Sequence, residues 1–301
     1  MAKQLTTSMA WLGRLLTADL GRLAGGSTTR TGGGHDRTTG ASNRRTVMTT
    51  SPNTAIIRRE PELLGQTVVI IGGSAGIGLE TARRARAEGA EVILAARRPD
   101  RLRQAAAEVG AGGTAAFDAT DPAALERFFA GLPTPVDHVM VTGPGPYYAP
   151  LAELDRERAH RAFDDHQWLA IEVAQLAVGR VRPGGTLLFM SGTAGRSRGP
   201  GLSFITAATA AMPALIANLA VEIAPVRVNL IAPGFVDTPL SASLLGDDLE
   251  ARRAQLRATL PIGRVVGPAD VAALAVHIMT NTALTGATYD IDGGQQLIRG
   301  A

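Results

Sequence analysis

The chain has 301 residues, 45% of them hydrophobic, and a formal net charge of +3. That length and composition suffice for one large α/β domain with a sizeable core. There is no cysteine, which excludes disulfides, thiolate catalysis and cysteine metal sites, and no unbroken apolar run reaches the roughly 18 residues of a membrane span.

The charge is unevenly placed. Residues 1–47 hold seven basic residues and two acidic ones, so the rest of the chain is slightly acidic. The basic excess belongs to the N-terminus and gives no argument for nucleic-acid binding by the domain. Residues 1–50 read as a tail rich in Gly, Ser, Thr and Arg, with disorder expected over Gly25–Asn43. Before that stretch Trp11, Leu12, Leu15, Leu16, Leu20 and Leu23 recur at helical spacing. An organelle transit peptide, a membrane-surface helix, and an upstream extension with Met48 as the true start all fit this pattern. The domain is assigned to residues 51–301, and a cytoplasmic location is expected.

From Pro61 onward, strands and helices alternate. Val68–Ile71 is a short apolar run that stops at Gly72-Gly73-Ser74-Ala75-Gly76-Ile77-Gly78. A helix-forming run comes at once after it. This reads as a buried strand, Thr67–Ile71, a tight glycine turn and a helix to Glu88, with Gly89 ending it. The helix N-terminus there offers unpaired N–H groups and a positive dipole end to an anion such as a pyrophosphate. Further strands are expected at Glu91–Ala95, Gly113–Phe117, His138–Val141, Thr186–Met190, Val226–Ile231 and Ala287–Ile291. Helices are expected from Pro99 to Val109, from an Asp121 N-cap to Ala130, over 155–181 with a break near Asp164, over Ser203–Ala224, and at 249–259 and 268–280. Short apolar strands alternating with helices imply a mostly parallel, doubly wound sheet covered on both faces, in one domain.

With these motifs in this order, residues 62–296 resemble the short-chain dehydrogenase/reductase family, whose fold is Rossmann-type. The opening glycines are similar to the family's Thr-Gly-x-x-x-Gly-Ile-Gly, with Ile71 in place of Thr. Phe117-Asp118-Ala119-Thr120-Asp121 resembles the acidic turn whose Asp118 would reach the adenine. Arg227-Val228-Asn229 and Ala232-Pro233-Gly234-Phe235-Val236-Asp237-Thr238-Pro239 resemble the strand exit that contacts the nicotinamide amide. Asp290-Ile291-Asp292-Gly293-Gly294 resembles the last strand. The resemblance implies a cofactor site of Gly72, Ser74, Gly76, Ile77, Gly78, Arg97, Arg98, Asp118, Ala119, Gly143, Pro233, Gly234, Val236 and Thr238. It also implies a homodimer or homotetramer packed through the helices at 155–181 and 203–224.

Charge argues the cofactor type. Where an acidic residue would bind a ribose diol, the chain reads Ala95-Ala96-Arg97-Arg98. A guanidinium pairs with a 2′-phosphate that a carboxylate would repel, so NADP(H) is favoured over NAD(H). The alternative is a solvated arginine cluster ahead of a helix.

The family's Ser and Tyr-x-x-x-Lys do not appear. Their positions fall on Gly192, Ile205 and Thr209, and the helix Asn falls near His166. No register rescues the pair: Lys3 is the sole lysine, and the three tyrosines are Tyr147, Tyr148 and Tyr289. The candidates for a proton donor are Tyr148 and Tyr147, after strand 4, and His166. Against each stands a structural role: aromatics packing a Pro-rich loop, or an ordinary helix histidine. Ser191 stands one place early and is expected to face away. Thr193 and Ser203 could donate hydrogen bonds, Arg196 and Arg198 could meet an anionic substrate, and Asp164 and Asp165 read as a helix face. No His or carboxylate spacing suggests a metal site.

Overall fold

The computed structural model describes residues 62–298. The expectations for residues 1–50 lie outside the described residues.

Seven parallel strands form one sheet in the order β3-β2-β1-β4-β5-β6-β7. They are β1 Thr67–Ile71, β2 Glu91–Ala96, β3 Gly113–Ala116, β4 Val136–Val141, β5 Val181–Met190, β6 Arg227–Pro233 and β7 Thr288–Ile291. The helices are α1 Gly76–Ala87, α2 Pro99–Val109, α3 Pro122–Ala130, α4 Arg156–Phe163, α5 Leu169–Ala177, α6 Ser203–Glu222, α7 Pro239–Leu245, α8 Leu249–Thr259 and α9 Pro268–Thr280. Side chains alternate across each strand, so β1 feeds two cores. Val69 and Ile71 join Leu125, Phe129, Val173, Met212 and Ile216 beneath α3, α5 and α6. Val68 and Ile70 join Ala82, Leu102, Val271 and Val276 beneath α1, α2 and α9. This is the doubly wound architecture the strand–helix alternation predicts.

Several boundaries differ from the sequence reading. β4 begins two residues earlier than expected and β5 begins at Val181, because Val136 pairs with Val181 ahead of a register shift. The helix expected over 155–181 is three pieces: α4, one π-helical turn at Asp164–Trp168, and α5, which stops at Ala177. A π turn inserts one residue into the helical ladder and occurs often at functional sites. Gln167, 5% exposed, fastens this turn to α6 by donating from Nε2 to the Ala208 carbonyl at 2.7 Å. The helix α7 has no counterpart in the sequence reading. Its start is capped by Thr238, whose Oγ1 accepts from the Ser241 N–H at 3.2 Å, and Pro239 sits in its first turn.

One correction concerns hydropathy. Among the described residues α6 is long and apolar enough to cross a membrane, by length and composition only, with a mean hydropathy of 1.8. Here it carries Ile205, Met212, Ile216 and Leu219 into the core and packs along β6. The surface it leaves uncovered includes Val221, 78% exposed.

Buried Arg227 fixes the far edge of the sheet. Its guanidinium donates to the carbonyls of Gly184, Ile278, Met279, Asn281 and Leu284, at 2.8 to 3.1 Å. Those carbonyls include the unpaired ones at the end of α9, so one side chain serves as that helix's C-terminal cap.

Candidate active site

The order of strands reverses between β1 and β4, and ligands bind open α/β sheets in the crevice outside the carboxyl ends at such a point. Backbone spacing is tight there. A Cβ on Gly72 would lie 2.0 Å from Thr142 Oγ1, and one on Gly78 would lie 2.4 Å from the Gly72 carbonyl oxygen. Gly72 and Gly76 also hold φ of 92° and 52°, a region that glycine enters without strain. The glycines therefore let β1 turn directly into α1. The first intrahelical bond comes from Leu79 to Ala75, and no side chain caps the start. The N–H groups of Gly76, Ile77 and Gly78 are left for a ligand anion.

The other residues expected at a cofactor site surround this turn. Ser74 lies within it, part-buried. Arg97 and Arg98 leave the end of β2 exposed, and neither makes an ion pair among the described residues. Asp118 is exposed after β3, with Oδ1 accepting from the N–H and hydroxyl of Thr120 at 3.1 and 2.9 Å; Ala119 comes directly after it. Gly143, with φ of 69°, opens the loop after β4. Pro233 ends β6. A Cβ on Gly234 would meet Asp292 Cβ at 2.7 Å, Val236 is buried, and Thr238 lies 3.5 Å from where a Gly76 Cβ would stand. The exits of β1 and β6 therefore meet, as a dinucleotide spanning both would need. The glycine cradle, the uncapped helix start and the unpaired arginines fit such a cofactor.

Two recesses open beside this cradle. The first is lined by Tyr147, His166, Ser191, Ile205 and Thr209, with Phe204 and Met212 among its apolar walls. The second is lined by Gly143, Asp165, His166 and Leu169, with Phe189 and Met190 among its apolar walls. His166 borders both. It sits on the π turn, and its Nδ1 lies 2.8 Å from the Ala162 carbonyl. A carbonyl only accepts, so Nδ1 carries the hydrogen and Nε2 is left over. The Tyr147 hydroxyl accepts from the Asp155 N–H at 3.1 Å, and the Arg158 guanidinium lies 4.7 Å from its ring centroid.

Ser191 does not face away, contrary to what strand alternation predicts. Its Oγ is buried without a hydrogen-bond partner and it lines the first recess. Gly192 lines neither recess. Strand β5 runs through Met190 and its pleat ends there, so alternation no longer fixes the next side chain. Ile205 and Thr209 lie side by side on α6, and the Thr209 hydroxyl is spent on the Ile205 carbonyl at 2.6 Å. Tyr148 stands apart from both recesses. The residue is part-exposed, and desolvation of the phenol pushes its pKa up, with the charge of Arg252 opposing.

Asp165, read from the sequence as part of a helix face, lines the second recess. Burial pushes its carboxyl up, against the charge of His166, while Asp118 and Asp164 push it further and Arg97 opposes. The adjacent Asp164-Asp165 at a helix break is the available signal. Arg196 is occupied by Asp290 at 2.5 Å, and Arg198 by the carbonyls of Gly195 and Ser197. Among the described residues no cluster could hold a metal ion.

A parallel seven-stranded sheet with a glycine turn at its switch point defines a doubly wound α/β fold of the dinucleotide-binding type. A family model described as enoyl-(acyl carrier protein) reductase matches residues 72–296. A short-chain dehydrogenase/reductase of Stachybotrys chlorohalonatus, ATR9, is 30% identical over 257 residues, which is 78% of this chain and 98% of that one. The MalC reductase/Diels-Alderase of Malbranchea aurantiaca superposes with a TM-score of 0.74 at 28% identity, covering 80% of this chain and all of that one. A small-chain dehydrogenase solved in complex with NADPH superposes with a TM-score of 0.67 at 28% identity, covering 77% and 99%. The chain belongs to the short-chain dehydrogenase/reductase family and is an oxidoreductase of that type.

Proposed function

We propose that the protein is an NADP(H)-dependent reductase or dehydrogenase of a carbonyl, an alcohol or an activated alkene, with His166 in place of the family's tyrosine as proton donor. The observation that carries this reading is the shared recess. It gathers His166, the Tyr147 phenol and the unpartnered Ser191 hydroxyl beside Ile205 and Thr209. NADPH, when bound, supplies the hydride. Arg97, with Arg98 beside it, supports the 2′-phosphate because neither has an acidic partner among the described residues. His166 holds its Nδ1 hydrogen on Ala162, which leaves Nε2 as the atom that exchanges a proton with the substrate oxygen, giving it from the imidazolium in reduction and taking it as neutral imidazole in oxidation. Tyr147 accepts from Asp155, so its own hydrogen remains available as a second donor, and Ser191 orients the acceptor oxygen. Tyr148 is the reserve candidate: its hydroxyl has no hydrogen-bond partner among the described residues, but it lines neither recess. The apolar walls of Phe204, Ile205 and Met212 exclude water and favour a hydrophobic substrate body.

A second reading is a non-catalytic NADP(H)-binding sensor, regulator or inactive partner subunit. It is favoured by Thr209, whose hydroxyl is committed to its own helix. Homodimer or homotetramer formation is supported by the exposed Phe163, Trp168 and Val221 along α4 to α6.

The test is NADPH oxidation against a panel of aldehydes, ketones and enones, with His166→Gln and Tyr147→Phe compared to the parent. A general acid contributes roughly 10²–10⁴ in rate, so His166→Gln should lower kcat at least tenfold with NADPH affinity unchanged. Unaltered kcat in both variants overturns the assignment of the donor. NADPH binding without turnover of any substrate favours the second reading.

A further inference from the structure

Arg158 lies in the first turn of α4, and its guanidinium sits over the ring of Tyr147, 4.7 Å from the centroid. Tyr147 is itself a wall of the first recess, together with His166 and Ser191. Asp155 holds the pair through two hydrogen bonds. Its N–H donates to the Tyr147 hydroxyl at 3.1 Å, and its carboxylate accepts from the Arg158 backbone N–H at 2.7 Å. The Tyr147 ring also packs on Phe204, another wall of the recess, at 5.7 Å between centroids. The guanidinium is therefore placed one side chain from the recess. Nearby acids are engaged elsewhere: Asp155 caps α4, and Glu157 lies 3.8 Å from Arg161. Arg156 has its Nε 3.4 Å from His160 Nε2. The Arg158 guanidinium is exposed and makes no hydrogen bond or ion pair among the described residues. An aromatic face steadies a cation but accepts none of its in-plane N–H groups. The positive end of a helix dipole also disfavours cations in a first turn, so Arg156 and Arg158 add to a local field that attracts anions.

We propose that Arg158, held over Tyr147, recognises a carboxylate on the substrate beside the first recess. The carboxylate accepts from the free guanidinium N–H groups. The apolar body of the substrate passes along the Tyr147 ring, and its reacting oxygen reaches His166 and Ser191. This inference rests on the first recess being the substrate site, as proposed above, and it gives the hydrophobic substrate body a charged end. Arg158 is thus a specificity-determining residue, while the proton transfer stays with His166.

Phenylacetate and phenylacetamide have nearly the same shape and differ in charge. Calorimetric titration of each into the full chain at low salt, with and without NADPH, compares them. An exposed guanidinium–carboxylate pair changes affinity by up to about fivefold, so phenylacetate should bind roughly three- to fivefold tighter than phenylacetamide. Arg158→Gln should equalise the two probes, Arg158→Glu should reverse their order, and raised salt should shrink the difference. Tyr147→Leu, which removes the ring beneath the guanidinium, should lose most of the preference. Arg156→Gln removes a neighbouring charge that lies over no ring and should keep it. NADPH affinity should be the same in all Arg158 variants. Equal binding of the two probes, no binding of phenylacetate, or a preference that survives Arg158→Gln overturns the assignment. A preference that Arg156→Gln removes equally well shows a diffuse field and also overturns it. So does a loss of NADPH affinity in Arg158→Gln, which gives the cation to the cofactor. A charge preference without NADPH oxidation by any carbonyl compound would sink the catalytic reading and keep the anion site. Turnover that depends on His166 but shows no charge preference would do the reverse.

Discussion

His138 should make the fold sensitive to acid at a pH where surface carboxylates are still ionised. It lies on β4, 1% exposed, with its Nε2 2.7 Å from Gln66 Oε1 and its Nδ1 buried without a partner. Burial, the dominant cause, lowers its pKa from 6.5 to about 3; Asp137 opposes this, and Arg227 and Arg182 add to it. Between these values the unfolded chain binds a proton that the native chain refuses. Stability therefore falls as pH drops below about 6.5 and stops falling from this cause near pH 3. At pH 5 the loss is the 1.5-unit gap below the unfolded value, or about 2 kcal/mol. The perturbation is His138→Val, a β-branched residue suited to a buried parallel strand. Urea denaturation followed by circular dichroism at pH 7 and pH 5 gives the loss for parent and variant, and the carboxylates common to both cancel in the difference. The parent should lose about 2 kcal/mol more than the variant. Equal losses in the two would refute the reasoning.

Three other outcomes are expected from the geometry. Arg97→Ala should weaken NADPH by roughly tenfold or more and leave NADH nearly unchanged, because only the 2′-phosphate needs the guanidinium; comparable weakening of both cofactors would count against the assignment. Gly78→Ala forces a methyl group against the Gly72 carbonyl, which is backbone and cannot swing away. NADPH binding should drop at least about tenfold, the scale of a lost charge-assisted contact, while circular dichroism keeps the α/β signature; unchanged affinity would show that the turn has slack. Arg227→Met removes the donor shared by five carbonyls and should lower unfolding stability by on the order of 3 kcal/mol. A melting temperature within about 2 °C of the parent would show that water replaces the guanidinium easily.

The sheet is legible in the sequence because its strands are short, apolar and separated by glycines, prolines and acidic caps at fixed places. Thr67–Ile71 and Pro99–Val109 can be read to the residue. The cofactor cradle is legible for the same reason: positive φ and close backbone approach leave glycine as the residue that fits. Less is visible where one residue changes the helical phase. The break near Asp164 can be read, but a π turn has no residue signature that separates it from a simple helix end. The sequence therefore does not show that His166 borders two recesses. Ser191 is misjudged when pleat alternation is carried one residue past the strand. Arg158 cannot be read at all. In the sequence it is one of three arginines in Arg156–Arg161, and only tertiary packing separates the one that finds an acid from the one that lies over a ring.

The π turn also sets an angular offset. Each residue added to a helix rotates all later residues by about 100°, so the inserted residue gives α4 and α5 independent azimuths on one continuous rod. The α5 half is keyed to the core by Leu169, Val173 and Ala177, while none of the α4 half is buried. Deleting one residue in Asp164–Trp168 would force a single azimuth on both. Either the core key or the direction of His166 would be kept, and not both. The bulge is a mechanical decoupler that lets the wall of the recess be re-aimed by one inserted residue while the sheet beneath it stays fixed.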